Sequence, residues 1–447
     1  MTFTPSEYIN DERRNYSLYV LQQRAIPHAA DGLKAAARRV LWTGRDGTVY
    51  KSASLAGATM PIHPHASPES TVNTLAGFYS NNIPLLAGEG GFGTILKPGS
   101  FAASRYTSVS VSAFTKDVVF RDIEIIPHQE NYDGKLTEPV HFLPLVPIAL
   151  LNPQEGIAVG FACSILPRSL DSIIASQIEY LNTGEVTDVY PAMVSTDNWC
   201  EEWYEDKSGG IRWVFKGSFE KVNATTINIT NLPYGMIHSK YITKLDKLIE
   251  SGDVQEVIDG SVDQYNIQVR FKKGVLRGKT DDEILNILSL TNSVTENLNL
   301  IDFDGKRVLN TSYTEFVASF TQWRLNWYLQ RYERLAGLLE IDIQRYLDVL
   351  NAIKNDVGGK AAKFKSRQDM KDFLATIGVV YIDYIADLSV YRFTEEERRK
   401  IETKLAEARK LMKNYQSLIK SEPKRKEVYL SELQEVLAKH KKGAYNQ

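Results

Sequence analysis

Apolar residues at helical spacing dominate the last third of the chain. From Tyr313 to about Asn355 they recur every three or four positions, and a second series runs in the same way from Ile401 to Ile419. This spacing gathers apolar side chains on one helix face and is typical of coiled coils. About forty residues at ~1.5 Å each form a rod of roughly 60 Å. The pattern predicts a long antiparallel coiled-coil stalk, an aromatic-rich helical knob between the two rods, and a final helix in "VYLSELQEVLAKHKK".

The zone before the stalk alternates apolar and polar residues. Segments such as "GGIRWVFKGSFEKV", "TTINITNLP" and "YNIQVRFKKG" indicate β-strands with one buried face. One strand is predicted to end at Asn231 to Pro233, and "SKYITKLDKLIESG" predicts a helix that closes at Gly252. This zone is therefore predicted to be β-rich.

Short helices and loops rich in glycine and proline characterise residues 1–166. Asp31 is predicted to cap a helix that stops at Gly44, and Ser67 with Pro68 to start a second helix. Helical spacing predicts a buried face on the first helix, at Leu33, Ala37, Val40 and Leu41. It also predicts a solvent-facing basic stripe, at Lys34, Arg38 and Arg45. Two basic helices followed by strands indicate a winged-helix-like unit.

The predicted fold class is α+β with several domains, because 447 residues are too many for one core. We predict a winged-helix domain in residues 1–166 and a β-rich tower domain in residues 167–310. The stalk is predicted in residues 311–357 and 394–447, and the knob in residues 358–393. A stalk that ends in an apolar knob is usually a dimerisation device, so we expect a homodimer.

Charge and composition narrow the class of protein. The formal net charge of −2 argues against a uniformly basic nucleic-acid coat, yet five cations lie between Arg24 and Arg45 with Asp31 as the one acid. There is no run of about 18 apolar residues and no apolar stretch of a signal peptide, so we expect a cytoplasmic protein without membrane contact. Cys163 and Cys200 show neither metal-ligand spacing nor a disulfide framework.

Two motifs suggest ligands that their context does not favour. Gly88 to Gly93 match a dinucleotide-binding fingerprint, but Pro98 follows closely and no helix start is indicated, so a tight loop is the favoured interpretation. His63 and His65 have no cysteine or third histidine within local reach, and Glu69 is the only carboxylate nearby. Phosphate contact near a helix start suits them better than a metal, and an exposed loop without function is the alternative.

The stretch "SFAASRYTSVSVS" contains a candidate nucleophile, Tyr106. Strand alternation places two groups on opposite faces: Thr107, Val109 and Val111 on the packed face, and Tyr106, Ser108, Ser110 and Ser112 on the open face. A phosphotyrosyl ester conserves the energy of a phosphodiester, and its formation needs cations nearby. Arg105 is adjacent, but it reaches the site only if the strand starts at or after Tyr106. From spacing alone, an ordinary exposed tyrosine is the favoured interpretation.

Six sequence blocks, taken together, favour the interpretation of Tyr106 as a nucleophile over an ordinary exposed tyrosine. They are "RAIPHAADGLKAAARRVLW", "KSASLAGATMPIHPHAS", "LLAGEGGFGTILKPGSFAASRYTSVSV", "NYDGKLTEP", "LVPIALLNPQEGIAVGFACSILPRSL" and "INITNLPYGM". Their order and spacing resemble the DNA breakage-reunion subunit of type IIA topoisomerases, the gyrase A family. The short length is most similar to the form found in T-even bacteriophages, which would place the protein in the host cytoplasm.

The resemblance implies roles for particular residues. Tyr106 would attack a DNA phosphodiester and stay attached to the 5′ end, assisted by Arg105. Ile157, in "EGIAVGF", would be an apolar wedge that intercalates and bends the duplex, although burial in a core strand is favoured from the residues alone. The remaining DNA-contacting positions of the family are matched by Arg24, Lys34, Arg38, Arg39, His63 and His65. The chain departs from the family's usual His-Pro-His-Gly-Asp at Ala66 and Ser67, and Ala37 stands where a polar residue often precedes the paired arginines.

The resemblance also implies what other chains supply. No cluster of carboxylates resembles the family's acidic triad, so Mg²⁺ is expected on a partner subunit with the metal-binding (TOPRIM) domain, and ATP on one with the ATPase domain. Two copies of the chain would each cut one strand of double-stranded DNA, and the knob would close the exit gate. The wrapping propeller of gyrase does not follow the coiled coil, which predicts relaxation and decatenation.

The leading prediction is therefore the DNA-cleaving subunit of an ATP-dependent type II DNA topoisomerase. The first alternative is a non-catalytic DNA-bending or bridging protein with a coiled-coil arm. A nucleotide-dependent enzyme that uses the glycines from Gly88 to Gly93 is the second.

Overall fold

The computed structural model describes residues 5–64, 68–207 and 210–446. The chain divides into two compact units, Met1–Trp323 with Glu432–Gln447, and Arg324–Ser431. Helices and strands are both abundant, which confirms the predicted mixed α+β class. Within the described residues, no helix combines the length and apolarity needed to cross a membrane. The finer assignment to winged-helix, tower, stalk and knob domains stays a prediction.

The first two helices are α1 (Pro5–Val20) and α2 (Ala35–Thr43), and a π-helical turn covers Leu21–Ala25. Helix α2 stops at Gly44 as predicted, but its N-cap is Lys34, so the predicted Asp31 cap is wrong. Asp31 is fully buried and accepts hydrogen bonds from the Arg38 guanidinium and from the backbone N–H of Phe142. The carboxylate is therefore drawn into the interior and holds the loop that precedes the helix.

The predicted basic stripe on α2 is also wrong. Arg38 is only 8% exposed and Lys34 is half-buried, whereas Arg45, beyond the end of the helix, is exposed. Arg38 and Arg39 each meet a carboxylate inside the protein. Helical spacing could not reveal these partners, because it describes one helix and not what packs against it. Val40 and Leu41 are buried as predicted.

A three-stranded antiparallel sheet follows. Its order is β1-β3-β2, and helices α3 and α4 contact it. The elements are β1 (Tyr50–Lys51), α3 (Ser52–Thr59), α4 (Pro68–Ala76), β2 (Leu86–Glu89) and β3 (Ser108–Val111). The predicted helix start at Ser67 lies outside the described residues. The glycine-rich motif begins in β2, at Gly88, and continues as the expected loop, where a Cβ on Gly93 would collide with the carbonyl oxygen of Pro98.

Two hairpins and a helix complete the region before the β-rich zone. They are β4 (His128–Glu130) with β5 (Thr137–Pro139), β6 (Gln154–Ala158) with β7 (Phe161–Ile165), and α5 (Leu170–Thr183). The Ser169 hydroxyl caps α5 by accepting from the Ser172 N–H, and Gly184 ends the helix with φ near 83°.

The predicted β-rich zone contains two four-stranded antiparallel sheets, in the orders β15-β10-β9-β8 and β11-β12-β14-β13. Alternate residues of their strands are buried, including Phe215, Ile267 and Val269. Helix α6 ends at Gly252 as predicted. The elements are β8 (Ala192–Met193), β9 (Asn198–Glu205), β10 (Ile211–Lys216), β11 (Ser218–Lys221), β12 (Thr226–Asn231), α6 (His238–Ser251), β13 (Val254–Asp259), β14 (Ile267–Phe271), α7 (Asp281–Ile287), β15 (Thr291–Thr295), β16 (Asn299–Ile301) and β17 (Val308–Asn310).

The rest of the chain is helical. Its helices are α8 (Tyr313–Lys354), α9 (Val357–Lys360), α10 (Arg367–Thr376), α11 (Ile382–Ala386), α12 (Glu395–Lys420) and α13 (Glu422–Lys441). In the second unit α8 and α12 run antiparallel, since Tyr332 meets Tyr415 at one end and Val349 shares a core with Ile401 at the other. The predicted final helix is present, and it begins at Glu422, before the segment from which it was predicted.

Candidate functional site

Tyr106 projects from a turn whose two flanking residues are anchored. Ser104 and Thr107 are buried, and their carbonyl groups accept hydrogen bonds from the N–H groups of Ala53 and Ser52 at 3.2 and 3.1 Å. The Ser52 and Thr107 hydroxyls also bond to each other at 2.7 Å. Because both sides of the turn are held against α3, the phenol, which is 70% exposed, is presented on a fixed backbone.

The alternation predicted for this segment is confirmed with one exception. Thr107, Val109 and Val111 are buried, and Ser108 and Ser110 lie on the other face. Ser112 was predicted to point outward, but it is buried and its hydroxyl donates to the Thr115 hydroxyl. The strand has ended by then, so period-two alternation no longer applies.

Arg105 belongs to the turn and not to the strand, which begins at Ser108. Its guanidinium carbon lies 4.6 Å from the centroid of the Tyr106 ring. Strict alternation would have aimed the side chain away, and the turn removes that constraint. An exposed phenol with a guanidinium stacked on its ring is suited to meeting a phosphate group.

Sequence reasoning missed a second cation in this place. Lys51 pairs with Ser108 across β1 and β3, and its Nζ lies 3.2 Å from the Ser108 hydroxyl and 3.4 Å from the Tyr106 carbonyl oxygen. The signal is strand pairing, which joins residues far apart in sequence and cannot be read from a single strand. Tyr106, Arg105 and Lys51 therefore form one exposed group.

A second group gathers around Tyr19. The Arg24 guanidinium carbon lies 5.5 Å from the Tyr19 ring centroid, and the His63 ring stacks on Tyr19 at 6.3 Å. The ring of Tyr132 also packs on His63, at 5.5 Å between centroids. His65, the second predicted histidine, lies outside the described residues, so its predicted DNA contact stays a prediction. The structure thus brings Arg24 and His63 together on a shared aromatic ring.

Arg38 and Arg39 are placed differently. The Arg38 Nε and Nη2 atoms donate to the two oxygens of Asp31 at 2.6 and 2.9 Å. Arg39 makes the same two-pronged contact with Glu138 at 2.5 and 3.0 Å. Burial alone would raise the pKa of Asp31, but the Arg38 guanidinium, together with His28 and the Phe142 N–H, holds that pKa below its usual value. Both guanidinium charges are therefore neutralised inside the protein.

Ile157 is 87% exposed, so the interpretation of burial in a core strand is wrong. It lies on the β6–β7 hairpin, where it pairs with Ala162. The alternation explains the error, because Gly156 occupies the packed face and Ile157 the open one. An apolar run that contains glycine looked like a buried strand, although only one face of it is covered.

No three histidine, cysteine or carboxylate groups converge as a metal site in the described part of the chain. The donor set does not fit Mg²⁺, which prefers several oxygen ligands at one point.

The exposed Tyr106 phenol beside two cations is suited to phosphate chemistry, and the exposed apolar tip of the β6–β7 hairpin is suited to contact with a large ligand. The sequence profile that describes the A subunits of DNA gyrase and topoisomerase IV matches residues 24–434. The chain therefore belongs to this gyrase and topoisomerase IV family, which confirms the predicted resemblance.

Individual proteins that are similar to the chain are also subunits of DNA topoisomerases or gyrase. The chain is 27% identical over 413 residues to the DNA topoisomerase medium subunit of Enterobacteria phage T4, across 88% of this chain and 90% of that protein. It is 29% identical over 302 residues to the A subunit of DNA topoisomerase 4 from Borreliella burgdorferi, across 66% of this chain and 47% of the relative. It is 27% identical over 462 residues to the A subunit of DNA gyrase from Campylobacter fetus, across 96% and 53%. The chain thus spans most of the phage protein and about half of the two bacterial proteins.

Proposed function

We propose that the protein is the DNA-cleaving subunit of an ATP-dependent type II DNA topoisomerase, an isomerase that acts on double-stranded DNA. The observation that carries the proposal is the exposed Tyr106 phenol, held on an anchored turn beside Arg105 and Lys51. Family membership and the names of the relatives support it, since each relative is a topoisomerase subunit.

The proposed reaction is a reversible transesterification. The Tyr106 oxygen attacks a backbone phosphorus and forms a new O–P bond, while the 3′ oxygen leaves with the electrons of the broken P–O bond. The phenolic proton passes to water, and a proton from water neutralises the 3′ oxygen. The proposed role of Arg105 is to stabilise the negative charge that develops on the phosphate oxygens. Religation is the reverse, and between the two steps a second duplex passes, giving relaxation and decatenation.

We assign the phosphate contacts near the site to Arg24 and His63, which share the Tyr19 ring. Ile157 is the proposed wedge, because an exposed apolar side chain can insert between base pairs and bend the duplex. Arg38 and Arg39 would have to leave Asp31 and Glu138 to reach a phosphate. Their proposed role is therefore structural: the two buried ion pairs support the proposed DNA-binding surface from the protein interior.

The proposed partners follow from the family to which the chain belongs and from the names of its relatives. Mg²⁺ and ATP are proposed to be held by one or two partner subunits that carry the metal-binding (TOPRIM) and ATPase domains. A homodimer is proposed to form through the helical knob, where Val380, Val390 and Tyr391 are exposed. Two copies would place one Tyr106 on each DNA strand.

The test uses the complex reconstituted with its partner subunits and Mg²⁺. Denaturant-resistant protein–DNA adducts are trapped on end-labelled plasmid fragments and counted. We expect Tyr106→Phe to abolish the adduct while the affinity for DNA stays within about twofold, because the ring remains and only the nucleophilic oxygen is lost. Tyr190→Phe, at an exposed tyrosine outside both groups, is the control and is expected to leave the adduct yield intact.

An adduct that persists in Tyr106→Phe would overturn the assignment of the nucleophile. DNA bending and bridging without any adduct in the unaltered complex would instead support the non-catalytic alternative.

A further inference from the structure

The hairpin that carries Ile157 has a free tip and a held base. At the tip, Ile157, Val159 and Phe161 are all exposed, and Gly160 forms the turn with φ near 81°. At the base, strand β7 is tied down by two hydrogen bonds between the backbones of Ser164 and Asn297, at 3.1 and 2.8 Å. What holds the base therefore decides where the tip points.

Gly156 makes one of the contacts that fix the base of the hairpin. It lies on the packed face of β6, and a Cβ built on it would collide with the carbonyl oxygen of Ala25. Since no larger residue fits this gap, only glycine lets the strand touch the π-helical turn Leu21–Ala25. That turn also carries Arg24, the residue next to Ala25.

Lys34 makes another of these contacts. Its Nζ donates a hydrogen bond of 2.5 Å to the carbonyl oxygen of Glu155, two residues before Ile157. The side chain is half-buried, and Lys34 is also the N-cap of α2. The ammonium group is thus engaged by the backbone of the hairpin base.

We infer that Lys34 is a positioning residue for the Ile157 hairpin, acting with the contact between Gly156 and Ala25. Together they fix the register between Arg24 and Ile157, so that a duplex bound by Arg24 meets the wedge at one set distance. The role of the wedge rests on the proposed function. The hold on the hairpin does not depend on it.

The first experiment therefore needs no DNA. Amide hydrogen exchange is followed in the full chain for residues 154–165. Lys34→Met removes the donor and keeps an unbranched side chain, and we expect exchange in the hairpin to rise about tenfold, the usual worth of a charged hydrogen bond. Lys34→Arg supplies another donor and is expected to restore part of the protection.

The matched control is Arg45→Met, which removes an exposed cation just beyond the same helix. It is expected to leave exchange in the hairpin unchanged. Hairpin exchange in Lys34→Met that stays within about twofold of the unaltered chain would overturn the inference.

The second experiment separates positioning from phosphate contact. The bend of a labelled duplex is measured by fluorescence energy transfer, and affinity is measured over a range of salt concentrations. We expect Lys34→Met to reduce the bend and leave the salt dependence unchanged. A lost phosphate contact would lower the slope of log affinity against log salt by about 0.9 and leave the bend intact, which would contradict the inference.

Gly156→Ala tests the same hold without changing charge, and it is expected to reduce the bend in the same way. Gly337→Ala, at a helix position where a Cβ meets nothing within 4 Å, is its control. If the unaltered protein does not bend DNA while hairpin exchange rises in Lys34→Met, the wedge proposal fails and the positioning inference stands.

Discussion

Two arginines within one compact unit illustrate opposite uses of the same side chain. Arg38 is buried and grips both oxygens of Asp31, whereas Arg105 is exposed and stacks on the ring of Tyr106. The charge of Arg38 is neutralised by Asp31, and the pair holds the loop before α2. The second is presented where a phosphate can arrive. Burial and the bonding partner, rather than the residue type, distinguish the structural Arg38 from Arg105, which we propose to contact a phosphate. The predictions below test that distinction.

The largest expected effect is on stability, at the buried pair. Arg38→Met leaves Asp31 charged and buried without its partner, which should lower the free energy of unfolding by about 3–5 kcal/mol in denaturant titrations. The control is the double variant Arg38→Met with Asp31→Leu, which removes both charges and should recover most of the loss. A loss of less than about 1 kcal/mol in the single variant would show that the pair is not a structural element.

Arg105→Ala should act on the reaction instead. Removing one charge-stabilising donor from a reaction centre typically costs about a hundredfold in rate, so we expect that reduction in adduct formation. Its free energy of unfolding should change by less than about 1 kcal/mol, since an exposed cation–π contact is weak. Arg105→Lys keeps the charge and should fall between. Equal cleavage by Arg105→Ala and the unaltered complex would remove Arg105 from the site.

A smaller effect is expected from pH, again in the buried region. His28 lies beside Asp31, Arg38, His141 and Asp302, and burial, as the main cause, lowers its pKa from 6.5 to about 4. At pH values between these two pKa values, His28 is protonated in the unfolded chain and neutral in the folded chain. Its contribution to stability is therefore full above pH 6.5 and is lost as the pH falls toward 4.

Lowering the pH from 7 to 5 should reduce the free energy of unfolding by about 2 kcal/mol through the protonation of His28. Burial lowers the pKa of His141 as well, which adds a loss of the same sign. His28→Gln has no such proton to bind, and denaturant titrations at the two pH values should show a correspondingly smaller drop. An undiminished drop in His28→Gln would assign the pH dependence to other groups.

Local pattern predicted much of the fold. The period of the apolar residues indicated the long helix from Tyr313, and alternation indicated the buried face at Val109 and Val111. Glycine marked the ends of α2 and α6 correctly. These features depend on residues near one another in sequence, where helix and strand geometry act directly.

The errors share one physical cause, which is a partner from a distant segment. Asp31 looked like a helix cap and Arg38 like a surface cation. The local sequence pattern shows neither the ion pair between them nor the hydrogen bond from the Phe142 N–H to Asp31. Lys51 went unnoticed until β1 paired with β3. The exposure of Ile157 depended on which face of the hairpin packs on Ala25. Tyr106 was predicted to be the nucleophile from the family resemblance, since the alternation showed only that its side chain could be exposed.

The most direct test of the proposed function is the identity of the bond between protein and DNA. The complex with its partner subunits and Mg²⁺ is denatured during cleavage and digested with protease and nuclease, and the nucleotide-bearing peptide is sequenced by mass spectrometry. We expect one modified peptide, with the 5′ phosphate of DNA esterified to Tyr106. A nucleotide attached to any other residue, or linked through its 3′ end, would contradict the assignment.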